Sequence, residues 1–423
     1  MRYSLSRDSG EIEMPSSTYS VAGAGFRIIL YSHDTFGLGH LNRNLKIAAA
    51  LKARYPEISI LLVTGSPQVQ RFRLPEGVDY VKLPAVHKVG DEGYLPRYLN
   101  IPFKRVLAVR TKILLETVKE FGPHILLVDH SPLGMKKEIL PSLEWIFDSK
   151  ANMRAMLGLR DIYDDPSSTK KRWSEQGVFE VMRNLYDRIF IYGMPSIFDP
   201  VSEYEFPDDI KSKTSYCGYI TDFHGGYKAV LPEKRENLVL VTIGGGDGGE
   251  LVIENFLKSL RLWQNENLFK SIILTGPFLA PEIWERFHGE AGELGVKILR
   301  CVSDIGSLMK RSRLVISTGG YNTVTDIMCH ANQALVIPRI LYRDEQLIRA
   351  RRLSEMGFLR YLHPSEATPE RLRETIQETL SSDDDSLSRA RADNPRMLCG
   401  GGHLSELMGE TLAEFEKSKR ELR

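Results

Sequence analysis

Residues 238–257 read LVLVTIGGGDGGELVIENFL. A run of β-branched and aliphatic residues meets five glycines split by Asp247, and then a segment with apolar residues at 252, 253, 256 and 257. Strand, glycine turn and helix in direct succession make a βα unit, and a chain of such units forms a mostly parallel sheet with helices on both faces. Glycines at such a turn let the backbone approach an anion, and the amides that open the helix supply partial positive charge. The spacing is not the strict GxGxxG of a dinucleotide site, and no Lys-Ser/Thr follows as in a P-loop. A glycine turn kept only for packing is the alternative.

The same alternation extends in both directions. Downstream, strands are expected at Ser271–Thr275, Lys297–Arg300, Leu314–Ser317 and Ala334–Pro338. Upstream, they are expected at Phe26–Ser32, Ile58–Thr64, Asp79–Leu83, Ile125–Asp129, Ala155–Gly158 and Arg188–Tyr192, and Leu41, Leu45, Ala48, Leu51 and Tyr55 make one apolar helical stripe after the first. Pro200, Pro207, Gly218, Gly225, Gly226 and Pro232 interrupt every period between the two series. The expected organisation is a leader at 1–25, a doubly wound domain at 26–200, a linker at 201–235, a second doubly wound domain at 236–395 and a closing helical segment at 396–423.

With 423 residues, 42% of them hydrophobic, the chain can build full cores without disulfide staples. Lys+Arg is 56 and Asp+Glu is 55, so no bulk charge attracts nucleic acid or an anionic bilayer. Cys217, Cys301, Cys329 and Cys399 form no CxxC pair, which argues against a zinc knuckle or a secreted disulfide framework and for a reducing cytoplasm. No stretch reaches the roughly 18 apolar residues of a membrane span. The Ser- and Gly-containing first 25 residues lack a signal-peptide core and read as a disordered leader.

Two further loops of the second series carry polar groups. Ser317-Thr318-Gly319-Gly320 turns into a helix with Asp326 on its second turn, a carboxylate able to accept from the vicinal hydroxyls of a ribose, or else a solvated helix acid. After ALVIP come Arg339 and then Asp344-Glu345-Gln346-Leu347-Ile348-Arg349. Three loops at the carboxyl ends of one half-sheet thus face one crevice, where open α/β sheets bind ligands.

In order, GGGDGG, CVSDIGSLM, STGGYNTVTDI and PRILYRDEQLIRARRLSEMGF resemble the nucleotide-sugar half of GT-B glycosyltransferases. The likeness is nearest to the family 28 C-terminal-like domain of the bacterial N-acetylglucosaminyltransferases that make the lipid-linked peptidoglycan precursor. The resemblance implies that Asp326 holds the ribose, that the backbone near Val302 meets uracil, and that Gln346 contacts the donor sugar. It also places Gly245, Gly246, Asp247, Gly248, Gly249, Gly319 and Gly320 around the diphosphate. Arg349 stands where that family usually has Asn, and Asp326 where Glu is commoner.

In the first domain Gly37-Leu38-Gly39-His40-Leu41-Asn42-Arg43 opens the first helix. This GxGH form is similar to the acceptor loop of the same enzymes, and GxGHxxR also resembles a motif of a UDP-sugar hydrolase of related fold. His40 would then be the general base that takes the acceptor proton, against the alternative of a capping or packing histidine. His33 and Asp34 are weaker candidates on the same loop. Asp129 and His130, and Arg160 and Asp161, end strands toward the cleft and could touch the acceptor, steady His40 or simply be structural. Asp161, Asp164 and Asp165 have no histidine partner, and no required metal or cofactor is expected. Tyr94–Phe121 mixes aromatics with Arg97, Lys104, Arg105, Arg110 and Lys112, the composition of a weak peripheral membrane contact or of a helix with a solvated basic face.

The expectation is therefore an inverting, metal-independent glycosyltransferase with two Rossmann-like domains facing a cleft. A UDP-linked sugar is the donor, and the acceptor is lipid-linked in the family it resembles but not identified by the motifs. A nucleotide-sugar hydrolase and a non-catalytic nucleotide-sugar-binding protein on the same fold are the alternatives. The cytoplasm, including the inner membrane face, is the expected location.

Overall fold

A computed structural model describes residues 25–34, 38–89, 93–149, 152–222, 235–246, 248–263, 269–341, 343–382 and 385–421. The leader expected at 1–25 lies outside them except for Gly25, as do Gly37, Asp247 and most of the second half of the expected linker.

Two parallel sheets carry the molecule. The first runs, in spatial order, Val78–Lys82, Ser59–Thr64, Arg27–Ser32, Ile125–Asp129, Arg154–Arg160, Arg188–Tyr192, Thr214–Tyr216. The second runs Lys297–Leu299, Lys270–Leu274, Glu236–Thr242, Ser312–Ser317, Ala334–Val336, Arg360–Tyr361. In each, the chain starts in the middle, builds outward to one edge, and then returns to build outward on the other side. The order therefore reverses beside the first strand of each sheet, next to Arg27–Ser32 and next to Glu236–Thr242, and ligands of doubly wound folds bind outside such switch points.

Alternation along the strands sets the layers. Val239, Val241, Leu314, Ile316 and Leu335 point into a core under Val252, Phe256 and Phe287, whereas Leu240, Val315 and Val336 point to the opposite face. That second face belongs to a buried cluster that continues without a break into the first domain.

The structure extends the first domain beyond residue 200. Pro200 opens a short helix capped by the Asp199 side chain, and Pro207 caps another at Asp208–Lys211. These prolines punctuate packed structure, since a proline at a helix start gives up an amide that has no partner there anyway. Thr214–Tyr216 then adds a seventh strand, and Cys217, Tyr219 and Ile220 are buried behind it. Two other pairings escaped the sequence reading: the antiparallel hairpin Val86–Val89 with Gly93–Pro96, and the two-residue edge strand Arg360–Tyr361.

The closing helix, Gly400–Glu421, starts in three glycines because the chain must pass close to the linker. An added Cβ at Gly400 would lie 2.4 Å from the Tyr219 carbonyl oxygen. The helix packs on the first domain, where Phe415 meets the His124 ring and Glu410 pairs with Arg188 at 2.8 Å. No described helix is long and apolar enough to cross a membrane.

Arg110, read from sequence as part of a basic face, is buried instead. Its guanidinium grips the Glu138 carboxylate through Nε at 2.6 Å and Nη2 at 2.7 Å, and donates to the Pro84 and His33 carbonyls. Tyr31 adds a hydrogen bond to the same carboxylate at 2.6 Å. Arg110 thereby ties the helix Phe103–Phe121 to the segment before the helix Leu140–Asp148 through Glu138, and to the loop after the first strand through the His33 carbonyl. Lys104, Arg105 and Lys112 remain exposed.

Candidate functional site

His40 is the second residue of the helix Gly39–Arg54, which opens at the switch point of the first sheet. Its Nδ1 lies 2.6 Å from Asp129 Oδ2 at the end of the neighbouring strand. When Nδ1–H donates in that contact, the neutral imidazole carries its lone pair on Nε2, the form a base requires. Asp129 is itself clamped by Arg43, one helical turn after His40, through Nε at 2.8 Å and Nη2 at 2.6 Å. Burial alone would raise the Asp129 carboxyl, but the Arg43 charge and the His40 hydrogen bond outweigh it and hold it well below the usual carboxylate range. Arg43 is buried and its guanidinium faces the rings of Tyr192 and Tyr321.

Three imidazoles line one wall. The rings of His33 and His40 are 4.6 Å apart, and those of His40 and His130 are 5.8 Å apart. His130 takes a left-handed backbone with φ 66°, packs at a tilt against the Tyr163 ring, and meets Arg160 Nη2 through Nε2 at 2.7 Å. Burial, reinforced by neighbouring positive charge, holds His33 and His130 well below the ordinary histidine pKa, so both are neutral near pH 7.

Facing this wall are the glycine loops of the second domain. Gly244, Gly246 and Gly248 all have positive φ. At Gly246 an added Cβ would lie 2.6 Å from the Thr275 carbonyl and 2.7 Å from the Leu279 amide, so only glycine lets the loop lie against the next strand's end. Gly276 is packed more tightly still, 2.3 Å from the Gly244 carbonyl oxygen by the same construction. It supports the first loop, and its place at the end of strand Lys270–Leu274 is the one signal that could have flagged it. Gly249 precedes the helix Glu250–Arg261, and Gly320 caps the helix Tyr321–His330 with open space where a side chain would be. Val302 lies in the loop before the helix Ile305–Arg311.

Gln346 joins two of these loops: its Oε1 accepts from the Gly319 amide at 3.1 Å and from the Arg339 amide at 3.0 Å. Arg349, one turn on, is fully buried and donates to the Gly319 carbonyl at 2.8 Å. Its other nitrogens grip Asp161 of the first domain at 2.7 and 2.8 Å, and Tyr219 adds a hydrogen bond to that carboxylate at 3.0 Å. Asp161 thus joins the domains and lies apart from the His40 contact. Arg160 meets Glu345 across the same edge at 3.4 Å.

The centre is bridged as well. Asn322 donates to the Gly39 carbonyl at 2.7 Å, and Tyr321 donates to the Tyr192 carbonyl at 3.0 Å. Lys46, on the helix of His40, pairs with Asp326 at 2.7 Å, a partner that sequence spacing did not suggest.

Residues 238–397 match the glycosyltransferase family 28 C-terminal domain. The UDP-N-acetylglucosamine–N-acetylmuramyl-(pentapeptide) pyrophosphoryl-undecaprenol N-acetylglucosamine transferase of Alkaliphilus oremlandii is 21% identical over 364 residues, 84% of this chain and 90% of that protein. An uncharacterized glycosyltransferase of Methanosarcina mazei is 25% identical over 355 residues, 81% of this chain and 87% of that one. Among solved structures, the glycosyltransferase of kitacinnamycin superposes with a TM-score of 0.59 at 15% identity, over 92% of this chain and 99% of that one. MurG of Acinetobacter baumannii does so with a TM-score of 0.55 at 14% identity, over 91% and 99%. The protein is a glycosyltransferase of the GT-B fold. It is similar to the N-acetylglucosaminyltransferases that build the lipid-linked peptidoglycan precursor.

Proposed function

We propose that the protein transfers a sugar from a UDP-linked donor held by the second domain to an acceptor hydroxyl held by the first, with inversion and without a required metal. The observation that carries this reading is the His40–Asp129 contact at a helix start opposite two glycine loops. His40 Nε2 takes the acceptor proton as that oxygen attacks the anomeric carbon. The bond from that carbon to the phosphate oxygen breaks, and the nucleoside diphosphate leaves with the electron pair. Asp129 positions the imidazole, and Arg43 offsets the carboxylate's charge.

The backbone around Gly245, Gly246, Gly248, Gly249, Gly319 and Gly320, with the two helix starts, meets the growing negative charge of the diphosphate. Asp326 holds the ribose through the oxygen that Lys46 does not take, the backbone near Val302 meets the base, and Gln346 faces the donor sugar. The printed name of the Alkaliphilus relative, a pyrophosphoryl-undecaprenol transferase, supports a lipid-linked acceptor. Exposed Leu95, Tyr98, Leu99, Ile101 and Val109, beside Lys104 and Arg105, support peripheral contact with the inner membrane face.

The test is release of nucleoside diphosphate from a panel of nucleotide-sugars, with and without a membrane extract as acceptor source. Acceptor-dependent release from a UDP-sugar is expected. Equal release without acceptor would replace transfer by hydrolysis.

A further inference from the structure

The cleft is closed along one edge and through its centre by ion pairs between the domains: Arg349 with Asp161, Arg160 with Glu345, Arg343 near Asp164, and Lys46 with Asp326. The other edge is open and differently built. There a pocket of about 370 Å³ lies between the domains, lined by Gln68, Arg71 and Arg97 of the first and by Phe278, Leu279 and Arg300 of the second, among others. Among the described residues, no acidic side chain lines it and none of these three arginines has an ion-pair partner.

The pocket's features agree on the charge of what it would hold. Arg97 lies over the Phe278 ring, and Arg300 lies over the Trp284 ring while donating to the Leu279 carbonyl at 3.2 Å, so contacts within the fold orient both guanidinium groups. The 13-residue helix Pro281–Glu293 starts at the pocket with Ala280 in the capping position, and no side chain accepts from its first amides. Gln68 adds a buried Oε1 without a hydrogen-bond partner, an acceptor for a hydroxyl or amide of the bound molecule. Three guanidinium groups, free helix amides and one lone acceptor suit a phosphate-type oxyanion on a molecule that also carries donor groups.

We infer that this pocket, which adjoins the first glycine loop where the Phe278 amide donates to the Gly245 carbonyl at 3.0 Å, is a second anion site, and that it receives a phosphate or diphosphate group on the acceptor. The inference rests on the transferase reading above. Its location supports the acceptor: Arg71 and Arg97 belong to the first domain, while the donor diphosphate has the loops at Gly244 and Gly319. Because both domains contribute arginines, the bound anion also bridges an edge that no ion pair among the described residues closes. An acceptor lacking its phosphate would then lose affinity and closure together.

Inorganic pyrophosphate is the probe. Calorimetric titration into protein saturated with UDP is expected to show one remaining pyrophosphate site, weakened at least about tenfold in Arg71→Gln/Arg97→Gln and in Arg300→Gln, and lost steeply with added salt. UDP affinity should be unchanged in the first-domain double variant, and Arg71→Lys/Arg97→Lys should restore part of the pyrophosphate binding. Arg71 and Arg97 are exposed, so these variants fold. The inference is overturned if UDP abolishes pyrophosphate binding, or if the arginine variants bind it as the wild type does. Failure of UDP itself to bind would instead sink the transferase reading, so the two outcomes are distinguishable.

Discussion

Lys46 Nζ lies 2.7 Å from Asp326 Oδ1, an ion pair between the helix that carries His40 and the helix that starts at Gly320. Lys46 is 13% and Asp326 17% exposed. Burial would lower the lysine pKa, but Asp326 and, more distantly, Asp222 reverse this and keep the ammonium charged. The carboxylate read from sequence as a ribose ligand is thus also a domain contact. Asp326→Asn is expected to weaken UDP binding by about tenfold or more, the loss of charge-assisted hydrogen bonds to hydroxyls. Titration calorimetry at a temperature where both proteins are folded checks it, and unchanged affinity would remove Asp326 from the donor site.

His40→Ala should lower kcat by about 10²- to 10⁴-fold while leaving UDP affinity nearly as it was, because a general base acts on the proton in the transition state. Asp129→Asn tests orientation separately. It keeps the shape but offers His40 an amide where a carboxylate stood, so kcat should fall with KM for the donor little changed. A variant at either position that loses donor affinity and keeps kcat would reverse the roles.

Arg349 and Asp161 are both fully buried, and the pair spans the domains. Removing one partner leaves a desolvated charge unpaired, so Arg349→Met should cost about 3–5 kcal/mol. Arg349→Met/Asp161→Leu should recover much of that loss. Urea unfolding of the two variants decides the point, and equal stability of the single and double variants would mean the pair is not coupled.

Acid should destabilise the protein in two stages. His33 and His130 have folded pKa values below the ordinary histidine value, so the unfolded chain binds protons below about pH 6.5 that the folded one refuses. Their contribution is full above that pH and declines as pH falls, by up to about 1.4 kcal/mol per pH unit for each ring. Asp129 and Glu345 are also held low; their stabilisation persists to lower pH and fades below about pH 4. Unfolding free energies measured from pH 8 to 5 should show the first slope. His33→Asn/His130→Gln should flatten it, and a wild type with no slope in that range would contradict the assignment.

The fold was largely legible because strand and helix periods are local. Ile125–Asp129 and Arg188–Tyr192 end where their apolar runs end, and the glycine turns at 244 and 319 fall where strands meet helices. Thr214–Tyr216 was hidden because prolines that cap short helices look, one residue at a time, like those of a linker. The GxGH turn placed His40 at a helix start, but Asp129 is 89 residues away and only the parallel pairing of strands Arg27–Ser32 and Ile125–Asp129 brings it to Nδ1. Composition could say that charge is balanced overall; it could not say where.

Local pattern therefore determined the two βα domains, their glycine loops and the histidine that faces them. The tertiary structure decided which charges meet. Arg349 and Asp161 are 188 residues apart and Lys46 and Asp326 are 280 apart, and such contacts depend on how two separately patterned domains dock. The same docking left Arg71, Arg97 and Arg300 around one pocket with no carboxylate among the described residues, because side chains at opposite lips of a cleft share no sequence period.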